Sequence, residues 1–187
     1  MDKTIITPII ERLNNVIDSL IDDFKEYNLD EETIGFLVQN TRNFIEFSKL
    51  TLFNVIFGVL EKAGYKQYDF DDIIHETENL INNIFDSIDE SLNKILPEED
   101  EHECGHDHGH GHHHHHHHID LDAVQDDIDK VISDLTALKQ LLGEVTDMVL
   151  LTLRYQAEEI SEKVFGEEFD KFKDNVNSFK EEYETDN

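Results

Sequence analysis

The stretch Leu121–Thr152, LDAVQDDIDKVISDLTALKQLLGEVTDMVLLT, decides the fold. Its apolar positions alternate by three and four residues for more than four heptads: Leu121, Val124, Ile128, Val131, Leu135, Leu138, Leu142, Val145, Val149 and Thr152. This spacing places them on one face of an α-helix, and its persistence is typical of coiled-coil-like packing. Gly143 does not shift the phase. The sequence therefore predicts one long helix over residues 121–164 whose apolar seam packs against other helices.

Helical spacing of apolar residues also occurs on both sides of this stretch. The further predicted helices cover residues 8–27, 31–63, 69–96 and 167–184. The helix over 31–63 is the most apolar of the five, so we expect it to be the most buried.

Local start and stop signals set the predicted boundaries. Thr7 followed by Pro8 is a typical N-cap and first-turn pair. Gly64 supplies a C-terminal stop for the second helix, and Pro97 ends the third. Gly166 is the expected break between the last two helices.

The fold class predicted from these elements is all-α. The connections within residues 1–96 are only a few residues long, which favours antiparallel neighbours. We expect an antiparallel bundle of four to five long amphipathic helices. A three-helix N-terminal part (1–96) and a C-terminal helix pair (120–187) would share one bundle, joined by a histidine-rich loop over 97–119.

The charge balance restricts the classes of partner. A net charge of −29 would repel nucleic acids and anionic membrane surfaces and favour cations. The most apolar run, 44–60, carries Glu46 and Lys49, so no membrane span is expected. The apolar run before Glu11 is too short for a secretory signal. We therefore predict a cytoplasmic protein, and its single cysteine excludes an intrachain disulfide.

Residues 101–120 read EHECGHDHGHGHHHHHHHID, and eleven of the seventeen residues in 102–118 (hereafter the histidine tract) are histidine. Imidazole is the commonest side-chain ligand for zinc, copper and nickel. The interspersed glycines allow the backbone to curl around an ion. The predicted metal ligands are His102, Cys104, His106, Asp107, His108, His110, His112, His113, His114, His115, His116, His117 and His118.

The surroundings of the tract also favour cations. No lysine or arginine occurs between Lys94 and Lys130, whereas eleven acidic residues do. Seven consecutive histidines offer many overlapping ligand sets, so we expect several ions of modest affinity and fast exchange. Such behaviour suits buffering, storage or transfer of a metal, and the sequence leaves Ni, Zn, Cu and Co all open.

The segment HDHGHGHHHHHHH resembles the histidine-rich tracts of hydrogenase nickel-insertion chaperones and the cytosolic loops of zinc transporters. The resemblance is compositional and covers fewer than twenty residues, so it implies metal binding and no fold. The chain lacks the GxxxxGK[ST] loop of a nickel-insertion GTPase and the membrane spans of a transporter.

Two sequence patterns typical of metalloenzymes are present only in part. His102 to His106 match H-E-x-x-H, but the motif contains Gly105 and follows Pro97, so we expect no helix to present both histidines on one face. A di-iron centre needs two Glu-x-x-His pairs, and His75 is the one histidine outside the tract. We interpret His75, with Asp72, Glu76 and Glu78 around it, as a surface or interface residue, with a role as an accessory metal ligand as the alternative, and we predict no enzymatic activity.

Other interpretations of the chain stay open at this point. The tract could be a purification tag or a neutral low-complexity linker. The chain could then be a scaffold that associates with a second copy or another helical protein through the 121–152 seam and the apolar second helix. Protonation of the twelve histidines near pH 6 would also make the charge respond to pH.

Overall fold

The computed structural model describes residues 3–26, 29–63, 70–97 and 119–186, and in these ranges the chain is helical with no strand. The elements are α1 (Lys3–Phe24), α2 (Glu31–Thr51), a π-helical turn (Leu52–Ile56), α3 (Phe57–Ala63), α4 (Phe70–Ile95), α5 (Leu121–Gln156) and α6 (Glu162–Asp186). Since α2, the π turn and α3 form one continuous helix, the described chain has five long helices. The predicted all-α bundle is confirmed, whereas its histidine-rich loop falls outside the described residues.

Helix α5 is the centre of the bundle. It packs against α1, α4 and α6 along its length and also contacts α3. The predicted seam is buried from Val124 to Thr152, with Leu121 partly buried at its start. A second row that includes Leu141 and Met148 is buried as well, because neighbouring helices cover more than one face. Each such aliphatic side chain contributes about 1.5–3 kcal/mol when fully buried.

Helix α1 begins at Lys3, five residues before the predicted start, and contains Pro8 in its interior. The expected N-cap role of Thr7 is therefore wrong. Ile6 is completely buried on the same face as Ile10, and its burial favours an extra helical turn before the proline. Pro8 costs one backbone hydrogen bond near the helix start, which this burial offsets.

The boundary between α5 and α6 lies at Ala157–Ser161, so the predicted break at Gly166 is wrong; Gly166 is buried inside α6. Helix α5 ends in a Schellman motif. The Glu159 N–H donates to the Arg154 carbonyl and the Glu158 N–H to that of Tyr155, both at 3.0 Å. Glu158 takes the left-handed conformation with φ 57°, a position where glycine is usual.

Helix α6 then starts at a local capping signal. Ser161 Oγ accepts a hydrogen bond from the Val164 N–H at 3.2 Å, as an N-cap residue does. Ile160 and Phe165 occupy the two positions of a hydrophobic staple, and both contribute to the core. This cap and staple, rather than Gly166, fix where α6 begins.

Helix α2 is not the most buried helix, contrary to the prediction. One face packs on α1 and α4, but Phe36, Phe47 and Leu50 on the other face are 58–63% exposed. The continuous helix Glu31–Lys62 is apolar and long enough to cross a membrane by length and composition. This is weak support for a span, because one side of it already lies in the bundle core and core helices pass the same test.

Candidate metal centre

All thirteen predicted metal ligands of the histidine tract lie in 98–118, outside the described residues. The structure does describe the two ends of this segment. Pro97, after α4, and Ile119, before α5, line the same pocket. Asp120 caps α5 by accepting hydrogen bonds from the N–H groups of Asp122 and Ala123. The segment therefore leaves and re-enters the bundle at one end.

Arg42 fixes this end of the bundle from α2. Its Nη2 donates to the Leu96 carbonyl at 2.6 Å and to Asn93 Oδ1 at 3.0 Å. The last turn of α4 is thus tied to a second helix immediately before the tract begins.

A second group of candidate ligands lies within the described residues. Glu61 of α3 and His75 and Glu78 of α4 each offer a ligand atom, and these atoms lie within 4.8 Å of one another. We call these three residues the acid–histidine cluster. His75 Nδ1 lies 3.5 Å from Glu78 Oε2, with the two side chains 64% and 19% exposed. Glu61 is exposed as well.

The helix pair α3–α4 explains why these side chains meet. His75 and Glu78 are three residues apart, so they lie on one face of α4 within a single turn. Ile74 and Thr77 on the adjoining face are buried, which fixes the rotation of the helix. Helices α3 and α4 pack against each other, and Glu61 reaches the cluster from the last turn of α3.

The electrostatics of the cluster centre on Glu78. Partial burial raises the pKa of its carboxyl, and a hydrogen bond with the Glu61 carboxyl and the charge of Glu61 raise it further. His75 acts in the opposite direction through its own hydrogen bond and charge. Two carboxyl groups therefore face each other with one imidazole beside them.

This donor set fits a divalent transition metal. One imidazole and two carboxylates match the ligands that zinc and its neighbours accept, at about 2.0–2.2 Å from the ion. Ligand atoms around a tetrahedral ion are about 3.3 Å apart. The present separations, up to 4.8 Å, would have to close by about 1.5 Å, which exposed side chains can do. Three protein ligands would leave a position for water.

The other acids near His75 behave differently. Glu76 Oε1 accepts a hydrogen bond from Lys180 Nζ of α6 at 2.9 Å, so this carboxylate joins two helices. Asp72 is exposed and outside the cluster. The sequence interpretation of His75 as a surface residue is consistent with its exposure, but it missed Glu61. The spacing of His75 and Glu78 was visible, whereas the approach of Glu61 depends on tertiary packing.

A second group of interacting side chains, which the sequence did not predict, consists of Ser87, Asp134 and Tyr183. We call it the Asp134 cluster, and its carboxylate is buried. Asp134 of α5 is 1% exposed. Its carboxylate accepts hydrogen bonds from Ser87 Oγ of α4 at 2.6 Å and from the Tyr183 hydroxyl of α6 at 3.0 Å. Burial raises the pKa of Asp134, while burial and the charge of Asp134 raise the pKa of Tyr183 to about 12.

Comparison with known proteins adds no assignment, since no family model, curated protein or solved structure matches the chain. The function is therefore inferred from the residues of this chain alone.

Proposed function

We propose that the protein binds divalent transition metal ions in the cytoplasm and buffers, stores or transfers them through the histidine tract. The observation that carries this proposal is the tract itself. Eleven histidines and Cys104 lie between Lys94 and Lys130, and no lysine or arginine occurs between these two positions. Neutral imidazoles and a thiolate ligate such ions, and the acidic field concentrates them. The metal is Ni, Zn, Cu or Co, and no catalytic reaction is part of the proposal.

The architecture of the described residues supports reversible loading of ions at the tract. The helices on both sides of the tract already share one buried core, with Ile95 and Ile119 buried at the two flanks. Because the bundle is closed at the base of the tract, ions can load and leave without unfolding it. Overlapping ligand sets favour fast exchange, as buffering and transfer require.

The test is the metal content of the untagged protein purified from cells without metal columns or added metal. We expect at least one equivalent of Ni, Zn, Cu or Co per chain by plasma mass spectrometry. A full-length variant with asparagine at the eleven tract histidines and serine at Cys104 is expected to lose most of it. The proposal would be contradicted by wild-type protein that is free of metal, together with equal metal tolerance of cells that make the wild-type chain and cells that make a chain without residues 102–118.

One observation favours a second candidate function, self-association as a scaffold. The outer face of α2 presents Phe36, Phe47 and Leu50 to solvent, with Asn43 between Phe36 and Phe47. The seam of α5 cannot serve this purpose, because its own bundle buries it. Two copies of a chain with net charge −29 repel each other, so they can meet most easily where exposed apolar side chains outnumber the acids; on this face Glu32 and Glu46 flank the apolar patch.

Light scattering over a range of protein concentrations tests this second candidate. The wild-type chain is expected to form a dimer whose population rises with concentration and salt. The substitutions F47S and L50S together are expected to abolish it, whereas E11Q on α1 is a matched surface control. A monomer at all concentrations would exclude self-association through α2.

A further inference from the structure

We propose that Glu61, His75 and Glu78 form a second metal site, which holds a single zinc-class divalent ion in a fixed position. This inference does not rest on the histidine tract, since every ligand belongs to the described helices. The two sites would differ in kind, because the tract offers many ligand sets and this cluster offers one.

The cluster is far from the base of the tract. His75 lies near the start of α4, twenty residues before Ile95 at its end. At about 1.5 Å per residue this corresponds to about 30 Å along the helix. The acid–histidine cluster is therefore at the opposite end of the bundle from Pro97 and Ile119.

The backbone under the cluster is well supported. Ile74, which precedes His75, is 1% exposed, and Thr77, which precedes Glu78, is 0% exposed. Thr77 Oγ1 donates to the Ile73 carbonyl at 2.7 Å within the same turn. The Cα positions of His75 and Glu78 are thus held by the core, while their side-chain ends remain free to close on an ion. Sites built on packed helices are more exact than sites on loops.

The charges of the cluster also favour a cation. Ligand atoms of Glu61 and Glu78 lie within 4.8 Å of each other, and His75 Nδ1 lies 3.5 Å from Glu78 Oε2. Lys180, the basic residue that reaches α4 nearby, is engaged by Glu76 instead. A divalent ion between the three ligand atoms would offset the mutual repulsion of two carboxylates. One nitrogen and two oxygens suit Zn²⁺ or Co²⁺ better than Ca²⁺ or Cu⁺.

The experiment uses the full-length variant with asparagine at the eleven tract histidines and serine at Cys104. His75 is then the one imidazole left in the chain, so its proton NMR signals need no further assignment. We expect a calorimetric Zn²⁺ titration to show one saturable ion per chain, and the His75 signals to shift in step with it.

Substitutions on this background identify the ligands. E78Q and H75N are each expected to weaken Zn²⁺ binding at least tenfold. D72N is the matched control, because it removes one negative charge three residues before His75 without removing a ligand, and its effect should stay within twofold. All these side chains are exposed or partly exposed, and an unchanged melting temperature would show that each variant is folded.

Two outcomes would overturn the site. One is the absence of saturable Zn²⁺ binding or of any His75 shift in the tract-substituted chain. The other is a loss of affinity in D72N equal to that in E78Q, which would indicate a diffuse acidic field. Neither outcome bears on the tract, whose failure would be seen instead as equal metal content in the wild-type and tract-substituted chains.

Discussion

Two side-chain clusters of the bundle contain carboxylates but differ in burial and in the partners of those carboxylates. In the Asp134 cluster, a buried carboxylate accepts hydrogen bonds from Ser87 and Tyr183, which lie on two other helices. In the acid–histidine cluster, Glu61 and Glu78 face each other beside His75 at an exposed end of the molecule.

The difference in burial and partners suggests different roles: the Asp134 cluster stabilises the fold, and the acid–histidine cluster binds an ion. Neutral hydroxyl donors satisfy Asp134 within the protein, so this carboxylate joins α4, α5 and α6 and has no need of an ion. The exposed carboxylates face another carboxyl group and an imidazole, an arrangement that a cation completes. A substitution in the first cluster should therefore change folding, and one in the second should change metal affinity.

The largest expected effect is that of D134A. It removes the acceptor of the partly buried hydroxyls of Ser87 and Tyr183, and a buried unsatisfied group costs about 1–3 kcal/mol. We expect the free energy of unfolding in urea to fall by about 2 kcal/mol. Zn²⁺ binding by the tract-substituted chain should not change. Y183F, which removes one donor, should cost about 1 kcal/mol; an unaltered D134A would show that the cluster contributes nothing.

The contribution of Asp134 to the free energy of unfolding should depend on pH. Burial raises the pKa of Asp134 above its ordinary value of 3.8, so the folded state holds this proton more tightly than the unfolded state. The contribution of Asp134 to stability is then greatest below 3.8 and falls as the pH rises through the folded-state pKa. D134N lacks this titration. The stability of wild type relative to D134N should decrease with pH across that window and then level off; a rise would contradict it.

The smallest expected change in stability is that of E78Q. This substitution removes a partly exposed charge that faces Glu61, so the free energy of unfolding should change by less than about 0.5 kcal/mol. The same variant should lose Zn²⁺ affinity at least tenfold. A large loss of stability in E78Q would mean that the acid–histidine cluster is structural, and the comparison would fail.

The bundle could be predicted from the sequence because apolar spacing directly encodes which face of a helix is buried. The seam of α5 is confirmed by the burial of Val131, Leu138 and Val145. The start of α6 could also have been found, since Ile160, Ser161 and Phe165 form a cap and staple that follow a local rule.

Other features depend on tertiary structure. The spacing of apolar residues in α2 does not reveal which of its faces a neighbour covers, so the exposure of Phe36 and Phe47 could not be foreseen. Glu158 adopts a left-handed conformation without the glycine that usually signals one. Glu61 comes to His75 through the packing of α3 on α4, which no short motif records.

The central claim, that the protein binds transition metals at a many-ion tract and a one-ion cluster, is tested most directly by counting ions. Native mass spectrometry in excess Zn²⁺ would compare the wild-type chain, the tract-substituted chain and the tract-substituted E78Q chain. We predict several ions for the first chain, one for the second and less than one for the third, in line with at least tenfold weaker binding. Equal ion counts in all three chains, or no ions bound to the wild type, would contradict the account.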